Sequence, residues 1–302
     1  MLISCVLGLI AVSLVMEADG KHLLQKVRAY NGTLFEPLGN RAPLWAPLAR
    51  REVNGTGLFY WQPNATRRHC NAIGRGKHVR PIPPMQLRED LGYLLTAEGH
   101  TRGIEVGVQR GHFAESMLRR WTSCTYYLLV DLWGKPENYA DSAGSADQEA
   151  AFGETRRRMW LPSHVKTTPC RDFSTGCARA VKNNSVDFVY LDARHDYWGV
   201  LQDIDAYRPK LVRQGGIMAG HDFLVASEHN QWRGPSNEGG NPDADYSLNG
   251  DGTRDPWGRS ERGAVDDFFT HCVPRQVTVT YRDGNSFRGH FNPVYSTWIV
   301  RK

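Results

Sequence analysis

Two groups of residues in this chain have types and spacings that could do chemistry. The first is Gly103-Ile-Glu-Val-Gly-Val-Gln-Arg-Gly111, where an apolar run carrying Glu105 opens through Gly107 and Gly111 into a helical stretch. Glycine at such a strand end lets a ligand approach the backbone where strand ends meet helix N-termini. Asp131 closes the next apolar run about twenty residues on, where an acid can accept hydrogen bonds from both hydroxyls of a ribose. An acidic residue ahead of the glycine turn suits a ligand with a positive centre and an amino group better than a pyrophosphate. A dinucleotide fingerprint requires Gly-x-Gly-x-x-Gly; here Glu105 takes the first place and three residues separate Gly107 from Gly111, which disfavours a nicotinamide dehydrogenase. The plainer alternative is an ordinary strand-turn-helix with a capping Asp131.

The second group is Asp192, His195, His221 and Asp222. Asp192 follows the run Val186-Asp-Phe-Val-Tyr-Leu191, and His221-Asp222 follow Gly215-Gly-Ile-Met-Ala-Gly220. An aliphatic hydroxyl is a poor nucleophile, so group transfer to it needs a base, often helped by a divalent cation that lowers the hydroxyl pKa. Carboxylates at two adjacent strand ends point into one crevice and can share Mg²⁺ or Mn²⁺. His195, with an ordinary pKa near 6.5, suits proton abstraction. Against this, His195 could be a surface residue beside a helix start capped by Asp196 or Tyr197, and His221 could orient a neighbour rather than ligate.

Short apolar runs alternating with amphipathic stretches from Pro81 onward predict an α/β domain with a mainly parallel sheet. Strands are expected at Gly103–Val106, Tyr126–Val130, Val165–Thr168, Val186–Leu191 and Ile217–Ala219. Helices are expected at Met85–Gly99, Phe113–Trp121, Ser145–Trp160, Phe173–Lys182 and through Val200, Leu201, Ile204 and Tyr207. A helix over Gly263–Cys272 and strands at Arg275–Tyr281 and Ser296–Val300, joined by a hairpin-like turn at Arg282–Asn285, close the chain. Asp187 is expected in the turn before its strand, and Asp203 and Asp205 on a solvated helix face.

On these motifs the chain resembles the class I S-adenosylmethionine-dependent methyltransferases over roughly Pro81 to Arg301. The resemblance implies a doubly wound, mainly parallel seven-stranded sheet with a C-terminal antiparallel hairpin, the Rossmann-like methyltransferase fold. It places the methionine part of the cofactor on Glu105, Gly107 and Gly111, and the ribose on Asp131. Asp172, in Cys170-Arg-Asp-Phe-Ser174, becomes the candidate adenine contact. The second block is similar to the metal-dependent sugar O-methyltransferases of the macrocin type, which implies Asp192 and His195 as catalytic residues and Asp192, His221 and Asp222 as ligands of Mg²⁺ or Mn²⁺. This chain departs from that pattern by carrying His221 where the first of two acids is expected; imidazole accepts Mn²⁺ better than Mg²⁺. Without a metal, Asp192 and Asp222 would bind substrate or orient His195. The implied activity is methylation of a sugar or small-molecule hydroxyl. A catalytically inactive secreted binding protein on the same fold, or a hydroxylase-type relative, are the alternatives.

Outside the motifs, 37 Lys and Arg against 32 Asp and Glu give a net charge of only +5, scattered along the chain, so nucleic acid is not an expected partner. The uncharged apolar run Leu2–Met16, followed by Ala18-Asp19-Gly20, suits a signal peptide or signal anchor over residues 1–20, although no Lys or Arg precedes it; a buried helix is the alternative. Sequons at Asn31, Asn54, Asn64 and Asn183 agree with entry into the secretory pathway, three of them in an irregular leader over 21–80. Of six cysteines, Cys5 lies in that first segment and leaves an odd number, so at least one thiol stays free. A Cys170–Cys177 bridge is conceivable in an oxidising lumen, with buried free thiols the plainer reading. Residues Ala226–Ser260, rich in Gly, Asn and Asp, suggest a lid with Trp232, Tyr246 and Trp257 as stacking surfaces for a glycan or small-molecule acceptor. A calcium loop counted from Asp243 fails, with Leu248 and Arg254 where Gly and Glu are required.

Overall fold

The central strands are largely apolar at consecutive positions, Glu105 being the exception, which is what parallel strands covered on both faces require. In the computed structural model of the protein, described over residues 80–134, 147–160, 162–231, 247–249, 253–270, 277–280 and 296–302, they form one seven-stranded sheet. Its strands are β1 (Arg102–Val106), β2 (Tyr126–Asp131), β3 (Lys166–Arg171), β4 (Phe188–Leu191), β5 (Ile217–Gly220), β6 (Thr278–Val279) and β7 (Trp298–Arg301), in the order β3-β2-β1-β4-β5-β7-β6. The first five are parallel, and β7 runs antiparallel to both β5 and β6. This is the doubly wound, mainly parallel sheet with a C-terminal antiparallel hairpin that the sequence led us to expect.

Alternate residues of each strand feed two apolar layers. Ile104, Val106, Leu128, Val130, Val189 and Leu191 pack with Val200, Leu201 and Ile204 of the helix Tyr197–Tyr207. On the opposite face Tyr127, Leu129, Phe188 and Tyr190 pack with Leu91, Leu95 and Trp121. The remaining helices are α1 (Leu91–Ala97), α2 (His112–Arg120), α3 (Gln148–Arg158), α4 (Ser174–Ala180), α6 (Ala226–Gln231) and α7 (Glu261–Val265), with Tyr197–Tyr207 as α5. No helix among the described residues is long and apolar enough to cross a membrane.

Several boundaries move for physical reasons. The helix expected from Met85 begins as a 3₁₀ turn at Arg88–Asp90, because Pro83 and Pro84 precede it and the Asp90 carboxylate takes the Leu87 N–H at 3.1 Å. β3 runs on to Arg171 through Pro169, which a sheet tolerates at an edge, and β3 is an edge strand. Asp187 does sit ahead of β4, and it accepts the backbone N–H groups of Thr101 and Arg102 at 2.8 and 3.0 Å, tying the start of β1 to that turn. Asp205 is exposed as expected, whereas Asp203 is buried at 3% exposure beneath the Ser174 hydroxyl, which donates to it at 2.5 Å. Helix α5 is covered on more of its circumference than its apolar stripe suggested, and a hydroxyl from α4 makes the buried carboxyl tolerable.

The expected lid is structured at both ends. Helix α6 occupies its beginning, and residues 253–260 fold back on it: Ala226 N–H donates to Gly258 O at 2.9 Å and Ser260 Oγ to Leu224 O at 2.5 Å. Asp255 organises this return by accepting from the Trp257 and Arg259 backbone and from the Arg259 guanidinium. Trp232, Tyr246, the Arg282–Asn285 turn, Cys272 and everything before residue 80, including the signal-like segment and three sequons, lie outside the described residues. The fourth sequon residue, Asn183, is exposed.

Candidate functional site

The carboxyl ends of β1, β2, β4 and β5 converge, and the residues singled out from sequence sit there. After β1 the chain turns through Gly107 at φ +89°, Gln109 at φ +49° and Gly111 at φ +75°. A Cβ on Gly107 would stand 1.8 Å from the Asp192 carbonyl oxygen. The backbone of β4's exit fills the space beside Gly107, so glycine is demanded there by chain packing, and any cofactor contact would come from the loop's backbone. Asp131 stabilises this loop: one carboxylate oxygen accepts from Gln109 N and the other from Trp133 N, each at 2.7 Å. The backbone N–H groups of Val108 and Leu132 also face this carboxylate. Burial raises the Asp131 pKa despite these N–H donors.

Glu105 is 2% exposed and accepts from the Tyr127 hydroxyl at 3.2 Å. Burial, and then the neighbouring Asp192 charge, push its pKa well above the usual carboxyl range, with Tyr127 and Arg88 acting in the opposite direction. Such a carboxyl is poised to ionise when a cation arrives.

Asp172 lies one residue ahead of the α4 N-cap, Phe173, and accepts that residue's N–H at 2.7 Å, while its other oxygen would stand 2.4 Å from a Cβ on Gly176. A disulfide between Cys170 and Cys177 spans this corner and fastens the end of β3 to α4. The expectation of free thiols is therefore corrected at these two positions. The seven-residue spacing brings them to one strand-to-helix turn. Cys124 is free and buried.

The second group forms a row of alternating charge. Arg88 Nη1 donates to Asp192 Oδ2 at 3.3 Å. His221 Nδ1 lies 3.9 Å from the same Asp192 oxygen and 2.7 Å from Asp222 Oδ1. His195 Nδ1 lies 3.5 Å from Asp222 Oδ2 and 2.8 Å from Glu261 Oε1. His195, at 8% exposure, is no surface residue, and Glu261 is 3% exposed. Burial and Arg88 oppose the charged form of His221, yet the carboxylates of Asp222 and Asp192 outweigh them and raise its pKa. Arg88 stays charged, since Tyr190, Asp192 and Glu89 overcome its burial. Asp222 adopts φ +49°, a left-handed conformation that Asp accepts more readily than most residues. Donor atoms of Asp192, His221 and Asp222 lie within 4.8 Å of one another, as do those of His195, Asp222 and Glu261.

Arg88 and Glu261 were not foreseen. Arg88 precedes the first strand in a stretch without a motif. Glu261 begins a helix after the long insertion, where the only sequence signal is a polar pair, Ser260-Glu261, at a helix start. Trp257 is 74% exposed, and the Arg259 guanidinium lies 4.6 Å from its ring centroid and 3.8 Å from that of Tyr197. One expected stacking surface is thus braced on its inner side by an arginine.

Residues 104–223, about two fifths of the chain, match the family described as a methyltransferase domain. That match supports a methyltransferase. It spans most of β1 to β5 and contains every expected catalytic, cofactor and metal residue, while Arg88, Glu261 and the expected stacking residues fall outside it. No curated protein matches. Among solved structures, the chain is similar to an O-methyltransferase from Bacillus cereus in complex with SAH, at 15% identity and TM-score 0.42, over 80% of this chain and 90% of that one. It is also similar to the O-methyltransferase TomG from Streptomyces achromogenes, involved in tomaymycin synthesis and bound to SAM, at 12% identity and TM-score 0.41, over 71% and 78% of the two chains. Likenesses of this strength describe those proteins and carry no argument about the chemistry of this one.

Proposed function

We propose that this protein is an S-adenosylmethionine-dependent methyltransferase that methylates a hydroxyl of a sugar or another small molecule inside the secretory pathway. The observation that carries the reading is the adjacency of two unlike sites at the same strand ends: a buried carboxyl, Glu105, behind a left-handed glycine turn, and a buried histidine–carboxylate pair, His195–Glu261, beyond β4.

The residues of the first site suit the cofactor. Glu105 would balance the positive charge of the methionine part, the turn from Gly107 to Gly111 would present backbone N–H groups, Asp131 would accept from the ribose, and Asp172 from the adenine amino group. When bound, the cofactor supplies a methyl group on a sulfonium, which departs as a neutral thioether.

The second site would ready the acceptor. Glu261 lies 2.8 Å from His195 Nδ1; with the carboxylate accepting from Nδ1–H, Nε2 of the neutral ring would carry the lone pair. His195 would take the hydroxyl proton, with Asp192 orienting the acceptor. Mg²⁺ or Mn²⁺ at Asp192, His221 and Asp222 would make this a metal-dependent version of the same reaction. The disulfide at Cys170–Cys177, the exposed sequon at Asn183 and the signal-like first segment support work in an oxidising, glycosylating compartment. Transfer of label from methyl-labelled cofactor to a panel of glycans and small hydroxylic acceptors tests the reading. Product that vanishes with His195→Ala supports it, and a folded chain that labels nothing while failing to bind the cofactor contradicts it.

A further inference from the structure

We infer that the guanidinium of Arg88, rather than a divalent cation, supplies the positive charge at Asp192, so that this site works without a metal. The inference takes the methyl-transfer reading as its setting but rests on the arrangement of charged groups alone.

A divalent cation held by Asp192, His221 and Asp222 needs one lone pair from each residue directed at a common point. The three residues are close enough, yet the Arg88 guanidinium already occupies the Asp192 oxygen that would face the ion. Asp192 Oδ2 accepts from Arg88 Nη1. His221 Nδ1 lies 2.7 Å from Asp222 Oδ1 and 3.9 Å from Asp192 Oδ2, so it stands between the two carboxylates. Asp222 and Glu261 in turn flank His195 Nδ1. The sequence Arg88, Asp192, His221, Asp222, His195, Glu261 thus alternates basic side chains with carboxylates from end to end.

Arg88 is fixed in place for this role. It stands on the 3₁₀ turn ahead of α1, and its guanidinium lies 5.1 Å from the centroid of the Phe113 ring, a cation–π contact from the first turn of α2. Its side chain is only 25% exposed. A guanidinium donates in a fixed fork, stays charged at any working pH and has no lone pair for a metal. Beside Asp192 it can donate to an acceptor oxygen or to the alkoxide forming on it, which is the electrostatic help a cation would give.

Mn²⁺ binding by the full chain, followed by the electron paramagnetic resonance of the free ion at neutral pH, tests this with wild type, Asp192→Asn, Arg88→Ala and Arg88→Lys. Wild type and Asp192→Asn are expected to bind Mn²⁺ alike, showing no site that depends on Asp192. Arg88→Ala should gain an Asp192-dependent site, on the order of a hundredfold tighter, because a unit charge a few ångströms from the seat is removed. Arg88→Lys should gain none. Asp192-dependent Mn²⁺ binding by wild type, or a folded Arg88→Ala without the gain, overturns the inference. Should Arg88→Ala not fold, the comparison of wild type with Asp192→Asn still decides. Failure to find any methyl transfer would sink the proposed function and leave this comparison untouched; where transfer is seen, chelators should not reduce it.

Discussion

His195 and Glu261 stand 66 positions apart in sequence and meet at 2.8 Å through Nδ1 and Oε1, both buried. The contact orients the imidazole and brings the return of the lid region against the strand ends. Glu261→Gln keeps the size of the side chain while its amide can present either a donor or an acceptor to Nδ1. It is expected to lower kcat on the order of 10²-fold, with little change in KM for the cofactor, and to distort the acid limb of the pH–rate profile. A change confined to thermal stability, with kcat and pH profile intact, would show Glu261 to be only structural.

Glu105 makes cofactor affinity depend on pH. Its pKa in the free protein is raised by burial, and a cationic ligand favours the ionised form, so binding releases a proton and affinity rises with pH until Glu105 is ionised in the free protein. Calorimetry in buffers of different ionisation enthalpy should detect that proton. Glu105→Gln is expected to weaken binding at least tenfold and to abolish the pH dependence; equal slopes for the two proteins would contradict the assignment.

The Cys170–Cys177 bridge closes a short loop, and a cross-link of that span stabilises a fold by about 2 kcal/mol where chain entropy dominates. Cys177→Ser should lower the melting temperature and, because Asp172 lies within the bridged turn, weaken cofactor binding several-fold. Thiol titration of the native protein that finds both cysteines reactive would remove the bridge from the account.

Asp203 gives a second, separate pH effect. Burial raises its pKa to about 6 from an ordinary 3.8, with Ser174 and Arg194 acting in the opposite direction. The folded state therefore holds a proton that the unfolded chain gives up, and stability from this residue falls as pH rises from about 4 to about 6, by up to about 3 kcal/mol. Asp203→Asn, which can still accept from Ser174, should stabilise the protein at pH 7 and not at pH 4. Equal effects at both values would contradict the burial argument.

Much of the sheet was legible because the central strands are largely apolar runs, β1 interrupted by Glu105, that end at an acid or glycine, so β1, β2, β4 and β5 fall within a few residues of expectation. The site was half legible for the same reason: Glu105, Asp131, Asp192, His195, His221 and Asp222 all sit where a strand stops. Arg88 and Glu261 lie on a 3₁₀ turn and on a helix beyond an insertion, and only tertiary packing brings them in. Asp203 was misplaced because helical period marks the apolar stripe but not how far a neighbouring helix overlaps its edge. Gly107 was assigned to ligand access, and its packing demand emerged only when Asp192's carbonyl was found beside it.

Isothermal titration of the protein with S-adenosylmethionine, repeated with Asp131→Ala and with NAD in place of the methyl donor, tests the central claim most directly. Micromolar binding that the substitution reduces by two orders of magnitude or more, with no comparable NAD binding, is the predicted result. A folded protein that binds no S-adenosylmethionine, or binds it equally well without the Asp131 carboxylate, would contradict the account.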